Sequence, residues 1–85
     1  MRAAKDGDKV SVQRLLAERV DPNAAASDGS TPLHWAVHRD SADVVEALLA
    51  AGANLNAANR YGVTPLSLAV TNGHSRIVSR LLDAG

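Results

Sequence analysis

Cysteine and phenylalanine are absent from this 85-residue chain, and tryptophan and tyrosine occur once each. Without cysteine there is no disulfide framework, no thiolate metal site and no cysteine nucleophile, so thiol redox chemistry is excluded. Without phenylalanine, a chain that is 46% hydrophobic must build its core from Ala, Val and Leu. Such small residues suit thin, closely packed layers. An excess of one charge is also missing. Nine basic and nine acidic side chains cancel, leaving no sequence-wide field to draw in phosphate backbones or acidic lipid head groups. Nucleic acid and membrane are therefore not expected partners. Long apolar runs are lacking as well: stretches such as Ala47 to Ala51 fall far short of the roughly 20 residues that cross a bilayer, and the N-terminus has no signal-peptide h-region. The chain is expected to be soluble and cytoplasmic, or periplasmic or exported if its parent chain carries a signal peptide. One domain of this size buries only roughly 60% of its unfolded surface, which predicts modest stability.

What the chain does have is internal repetition. Thr31-Pro32-Leu33 returns 33 residues later as Thr64-Pro65-Leu66, Ala36-Val37 returns as Ala69-Val70, and Gly29 returns as Gly62. The second half of the unit occurs three times, in Val12, Val45 and Val78 and in Leu15-Leu16, Leu48-Leu49 and Leu81-Leu82. Ala3 lies one period before Ala36, so Met1 falls inside the first helix of a shortened unit. The spacing predicts a partial repeat over 1–24 and repeats over 25–57 and 58–85.

Each unit has a local physical reading. A Thr N-cap followed by Pro at the first helical position starts a helix at Pro32 and at Pro65. The former is predicted to run to Arg39, with Asp40 or Ser41 capping the next helix; in the third unit the break is Asn72-Gly73. Val44, Val45, Leu48 and Leu49 make one apolar stripe on the second helix. Gly52 follows as a left-handed C-cap. Asn54, Asn56, Asn59 and Gly62 then supply the chemistry of a loop or hairpin-like turn. Neither helix can bury its stripe alone, so units must stack. The fold class is all-α, a solenoid of helix-turn-helix units joined by hairpin-like turns.

At this point a family resemblance becomes specific. Asp28-Gly29-Ser30-Thr31-Pro32-Leu33-His34-Trp35-Ala36-Val37 resembles the ankyrin signature from the turn into the first helix, and Asn59-Arg60-Tyr61-Gly62-Val63-Thr64-Pro65-Leu66 is similar. Gly52-Ala53-Asn54-Leu55-Asn56-Ala57 and Asn72-Gly73-His74 resemble the ankyrin segments that leave the second helix and that link the two helices. The Ala-rich composition resembles bacterial ankyrin modules, some of which are exported. The departures carry expectations too. Arg19 stands where Gly52 and Gly85 stand, at a cost of roughly 1–2 kcal/mol for a left-handed non-glycine residue, which would make the first unit the weakest. Ser67 replaces the motif His seen as His34, so the bonds between neighbouring loops that the resemblance implies for this His are partly lost. Asp40-Ser41 replaces the usual Gly-His. Neither end resembles a polar capping repeat, so Val70, Val78 and Leu81 are expected to lack full cover. The chain reads as a fragment of a longer array, or as one that self-associates through its uncapped ends.

Four constellations could be mistaken for chemistry. His34 and His38 have a metal-compatible spacing, but no third ligand fits and Trp35 stands where a zinc-peptidase helix carries Glu. His34 reads as a loop brace and His38 as an exposed helix residue. Ser67 lacks a strand-to-helix nucleophile setting, and no deep pocket is expected between thin helices. The glycines follow the repeat and do not cluster as a phosphate loop. Arg76 and Arg80 read as a solvated helix face. No catalytic residue, cofactor or metal is assigned, and the chain does not read as an enzyme.

The ankyrin resemblance implies a concave face, made by turn tips and first helices, that binds another protein. Its positions here are Lys5 and Asp6, then Ser27, Asp28, Ser30, His38 and Arg39, then Arg60, Tyr61, Val63, Thr71 and Asn72. Arg60 and Tyr61 are the strongest candidates, because Arg and aromatic residues dominate interface hot spots. Trp35 occupies a position that is usually Leu in the motif and is expected to pack between helices. The alternative function is a structural spacer or regulatory segment of a larger multidomain protein.

Overall fold

A computed structural model describes residues 2–85; Met1, expected within the first helix, lies outside them. The chain forms α1 (Arg2–Lys5), α2 (Lys9–Ala17), α3 (Pro32–His38), α4 (Ala42–Ala50), α5 (Pro65–Asn72) and α6 (Ser75–Ala84), with no strand among the described residues. The helix starts are those the Thr-Pro pairs dictate. Thr31 and Thr64 are both extended, at φ −95° and −98°, and Pro32 and Pro65 open the helices with φ already fixed by their rings. In α5 the Thr64 hydroxyl accepts the Ser67 N–H at 3.2 Å.

The turns between paired helices use a left-handed residue. Gly7, Asp40 and Gly73 occupy the same position in successive units, with φ of 70°, 55° and 72°. Asp40 therefore makes the turn and does not cap α4. Ser41 is the N-cap residue, and its side chain donates and accepts no cap hydrogen bond. The Asp40 carboxylate faces His74 Nδ1 at 3.5 Å. At the C-terminal end of α2, Arg19 adopts φ 66°, the conformation expected from its alignment with Gly52, which has φ 91°.

Between units the chain makes tight hairpin-like tips. Ala26 N–H donates to Ser30 O at 2.8 Å, and Asn59 N–H donates to Val63 O at 3.0 Å. Consecutive tips press together: Arg60 N–H donates to Asp28 O at 2.7 Å, and a Cβ on Gly29 would meet Asn59 Cα at 3.2 Å. A side chain there would force the tips apart, so this glycine sets the inter-unit spacing.

Stacking produces two layers, α1, α3 and α5 in one and α2, α4 and α6 in the other. Between them lies a core of Ala4, Val12, Leu33, Ala36, Val37, Val44, Val45, Leu48, Ala69, Ile77 and Leu81. Each fully buried Val, Leu or Ile contributes about 1.5–3 kcal/mol through removal of apolar surface from water. On the outer side of the last helix pair, Val70 is 61% exposed and Val78 half-buried, the incomplete cover expected for both. Leu81 differs from expectation. It is only 4% exposed, because it lies at the position of fully buried Leu48 and points into the core between layers; Leu82, 61% exposed, takes its place on the outer side.

Candidate binding face

The turn tips are held by different residues in the two complete turns. In the first, both Asp28 carboxylate oxygens accept from Ser30, one from its N–H at 2.9 Å and the other from its hydroxyl at 3.0 Å. The Ser30 backbone bond, then the hydroxyl bond, hold the Asp28 carboxyl below its ordinary titration range. In the second turn, Tyr61 occupies the position of Asp28 and has no carboxylate to offer. Asn59 brings its carbonyl from two residues upstream, where Oδ1 accepts Tyr61 N–H at 2.9 Å and Val63 N–H at 3.1 Å. The Tyr61 ring is thereby released from turn construction and stands 73% exposed. The Arg60 guanidinium lies over it, 5.9 Å from the ring centroid, and also donates to Ser27 O at 3.3 Å.

Behind the tips, His34 joins the units. Thr31 N–H donates to its Nδ1 at 2.9 Å, so Nε2 carries the ring proton and donates it to Val63 O at 2.7 Å. Both ring nitrogens are committed to the scaffold. Ser67, at the matching position of the third unit, bonds locally: its hydroxyl accepts Thr64 N–H at 2.9 Å and donates to Thr64 O at 3.0 Å. These bonds close the start of α5 on itself. Arg39 extends the same lacing to the first unit and donates to Asp6 O at 3.4 Å.

Between the tips and the first layer runs a groove of about 190 Å³, lined by Ser30, His34, Trp35, His38, Asn59, Val63 and Leu68. Trp35 is half-buried and not enclosed between helices. Its exposed side carries the Lys5 ammonium, 4.7 Å from the ring centroid, and His38 meets its edge at 6.2 Å in a T-shaped arrangement. Trp35 and Leu68 are 33 residues apart and form one column along the first layer.

Residues 1–85 match the family model for ankyrin repeats (3 copies). The chain belongs to the ankyrin-repeat family. None of the curated proteins matches it. Ankyrin repeats are in general protein–protein interaction modules, and the family is typically non-enzymatic.

In this ankyrin array the residues expected on the binding face are placed unequally. Ser27, His38, Arg39, Arg60, Tyr61, Thr71 and Asn72 are exposed, as are Lys5 and Asp6, while Asp28 and Val63 are half-buried. Ser30 is only 7% exposed, and its hydroxyl donates to Asp28 and accepts from Asn59 Nδ2 at 3.5 Å; it braces the tips and presents little to a partner. Asn23, which sequence reasoning passed over, ties the loops on the opposite side: its Oδ1 accepts Asn54 N–H at 2.6 Å and its Nδ2 donates to Gly52 O at 3.3 Å. The recurrence of Asn23 as Asn56 one period later was the signal for it. Arg80 is not a purely solvated residue, since its guanidinium pairs with Glu46 on α4. No helix among the described residues is long and apolar enough to span a membrane, and no three of their His, Asp or Glu side chains are placed to share a metal ion.

Proposed function

We propose that this ankyrin chain binds a partner protein through the concave face formed by its turn tips and first-layer helices. The observation that carries the reading is the release of Tyr61. Tyr61 is 73% exposed and its ring is not needed to close the turn backbone, because Asn59 supplies that bracing. A large, nearly rigid ring beside an Arg is the composition that dominates interface hot spots. The face is also preformed, laced by His34, Arg39 and Arg60, so association orders few side chains. Ser27, Asp28, His38, Arg39, Arg60, Tyr61, Val63, Thr71 and Asn72 form its surface, with Ser30 beneath.

The test is parallel affinity capture with the chain and with Tyr61→Ala, each first checked by thermal melting. A partner held by the former should bind the variant more weakly by about 2 kcal/mol or more, with the melting temperature unchanged. A structural or regulatory segment of a larger protein is the second reading. It draws on the outer side of α5 and α6, where Val70 and Leu82 remain 61% exposed. A set of captured proteins indifferent to Tyr61→Ala would favour that reading and count against the concave face.

A further inference from the structure

The groove beside Trp35 has a chemical polarity that says which partners it accepts. Its floor and walls combine Trp35, Val63 and Leu68 with the edges of His34 and His38, and among the described residues no acidic side chain lines it. The acidic groups of the neighbouring turns keep their charge, but their oxygens are turned to partners within the chain and not into the groove. Asp28 accepts two bonds from Ser30, Asp6 pairs with Arg2 at 3.7 Å, and Asp40 faces His74. The cations are engaged more loosely. The Lys5 ammonium rests on the Trp35 ring face, and the Arg60 guanidinium spends one N–H on Ser27 O while lying over Tyr61. A cation on an aromatic face keeps donors directed outward, because the ring occupies only one side of it. A chain with no net charge thus presents an apolar slot with no acidic lining, with the Lys5 ammonium over its Trp35 wall and Arg60 next in the chain to its Asn59 wall.

Resting on the concave-face reading above, we infer that the partner is an acidic, extended segment of another protein that inserts one apolar side chain between Trp35 and Leu68 and sets carboxylates against Lys5 and Arg60. The slot of about 190 Å³ takes one large aliphatic or aromatic side chain. Its apolar contact would supply the affinity. The carboxylates would set register and discriminate against basic segments, for which Lys5 and Arg60 are repulsive.

The experiment selects random linear peptides displayed on phage against the purified chain, then titrates the enriched peptides as fluorescein conjugates by anisotropy. Enriched sequences should place an apolar residue next to Asp or Glu, and their binding should weaken as salt is raised. Trp35→Ala should lose about 30-fold. Lys5→Glu, at an exposed residue whose replacement leaves the core intact, should lose about fivefold. Arg14→Glu makes the same charge change in the other layer and should leave affinity within about twofold. Enriched peptides that lack acidic residues, equal losses for Lys5→Glu and Arg14→Glu, or no enrichment at all would overturn the inference. So would a fluorescein-labelled single-stranded oligonucleotide that binds more tightly than the acidic peptides. Peptides sensitive to Tyr61→Ala but indifferent to Lys5→Glu would leave the concave face standing and remove only its acidic preference. Peptides indifferent to Tyr61, Trp35 and Lys5 alike would remove both.

Discussion

Val37 and Val70 hold the same place in successive units, yet the first is fully buried and the second 61% exposed. Leu33 and Leu66 repeat the contrast, the former fully buried and the latter half-covered. The residues are the same; only the neighbours differ. α3 packs between α1 and α5, whereas α5 has α3 on one side and solvent on the other. His34 shows the dependence in polar form, since its Nε2–H is satisfied by Val63 O in the loop of the following unit. In a stacked array a unit is therefore held chiefly by the interfaces on its two sides and less by its own sequence.

Breaking this comparison at its strongest point gives the largest effect. Val37→Ala should destabilise the fold by about 2 kcal/mol, through lost burial and the cavity left behind. Val70→Ala, with the same chemistry one unit later, should cost under about 0.5 kcal/mol. Paired urea melts read the difference directly, and equal losses would contradict the role given to neighbours. Next comes the loop brace. His34→Ser gives the middle unit the residue of the third and removes the bond to Val63 O, for a loss of about 1–2 kcal/mol in the same melts. The first unit supplies a gain. Arg19→Gly relieves a left-handed non-glycine residue at φ 66° and should stabilise the fold by about 1 kcal/mol, visible as a higher melting temperature.

The smallest effect is a pH dependence. Asp8 and Asp28 both titrate below their ordinary range, Asp8 because it accepts the Ser11 hydroxyl and N–H, Asp28 because it accepts the Ser30 N–H and hydroxyl. A carboxyl depressed in the folded state stabilises it above the unfolded value of about 3.9 and loses that contribution as pH falls through the lower folded value. Melting temperature should therefore drop below about pH 4, and Asp28→Asn should flatten part of that drop.

Much of the scaffold was legible in the sequence because its signals are local. Thr31-Pro32 and Thr64-Pro65 fix helix starts whatever surrounds them, and the alignment of Arg19 with Gly52 marks a left-handed position in the sequence alone. The face was harder to read because its residues acquire their roles from adjacent units. Ser30 is indistinguishable from an exposed turn serine until Asn59 and Asp28 close over it. Trp35 carries an apolar side chain at a helical position, which suggests enclosure, but the next unit offers Leu68 only along one side, so a flank of the ring stays open beneath Lys5. Leu81 and Leu82 are adjacent leucines, and their opposite fates depend on which face of α6 meets the core.

Native-state hydrogen exchange followed residue by residue tests the role of neighbours most directly. Amides in α3 and α4, including those of Val37 and Leu48, should exchange only through global unfolding, while those of α5 and α6 should exchange faster through partial opening of the uncovered end. Uniform protection across α3 to α6, or greater protection in α5 and α6 than in α3 and α4, would contradict the account.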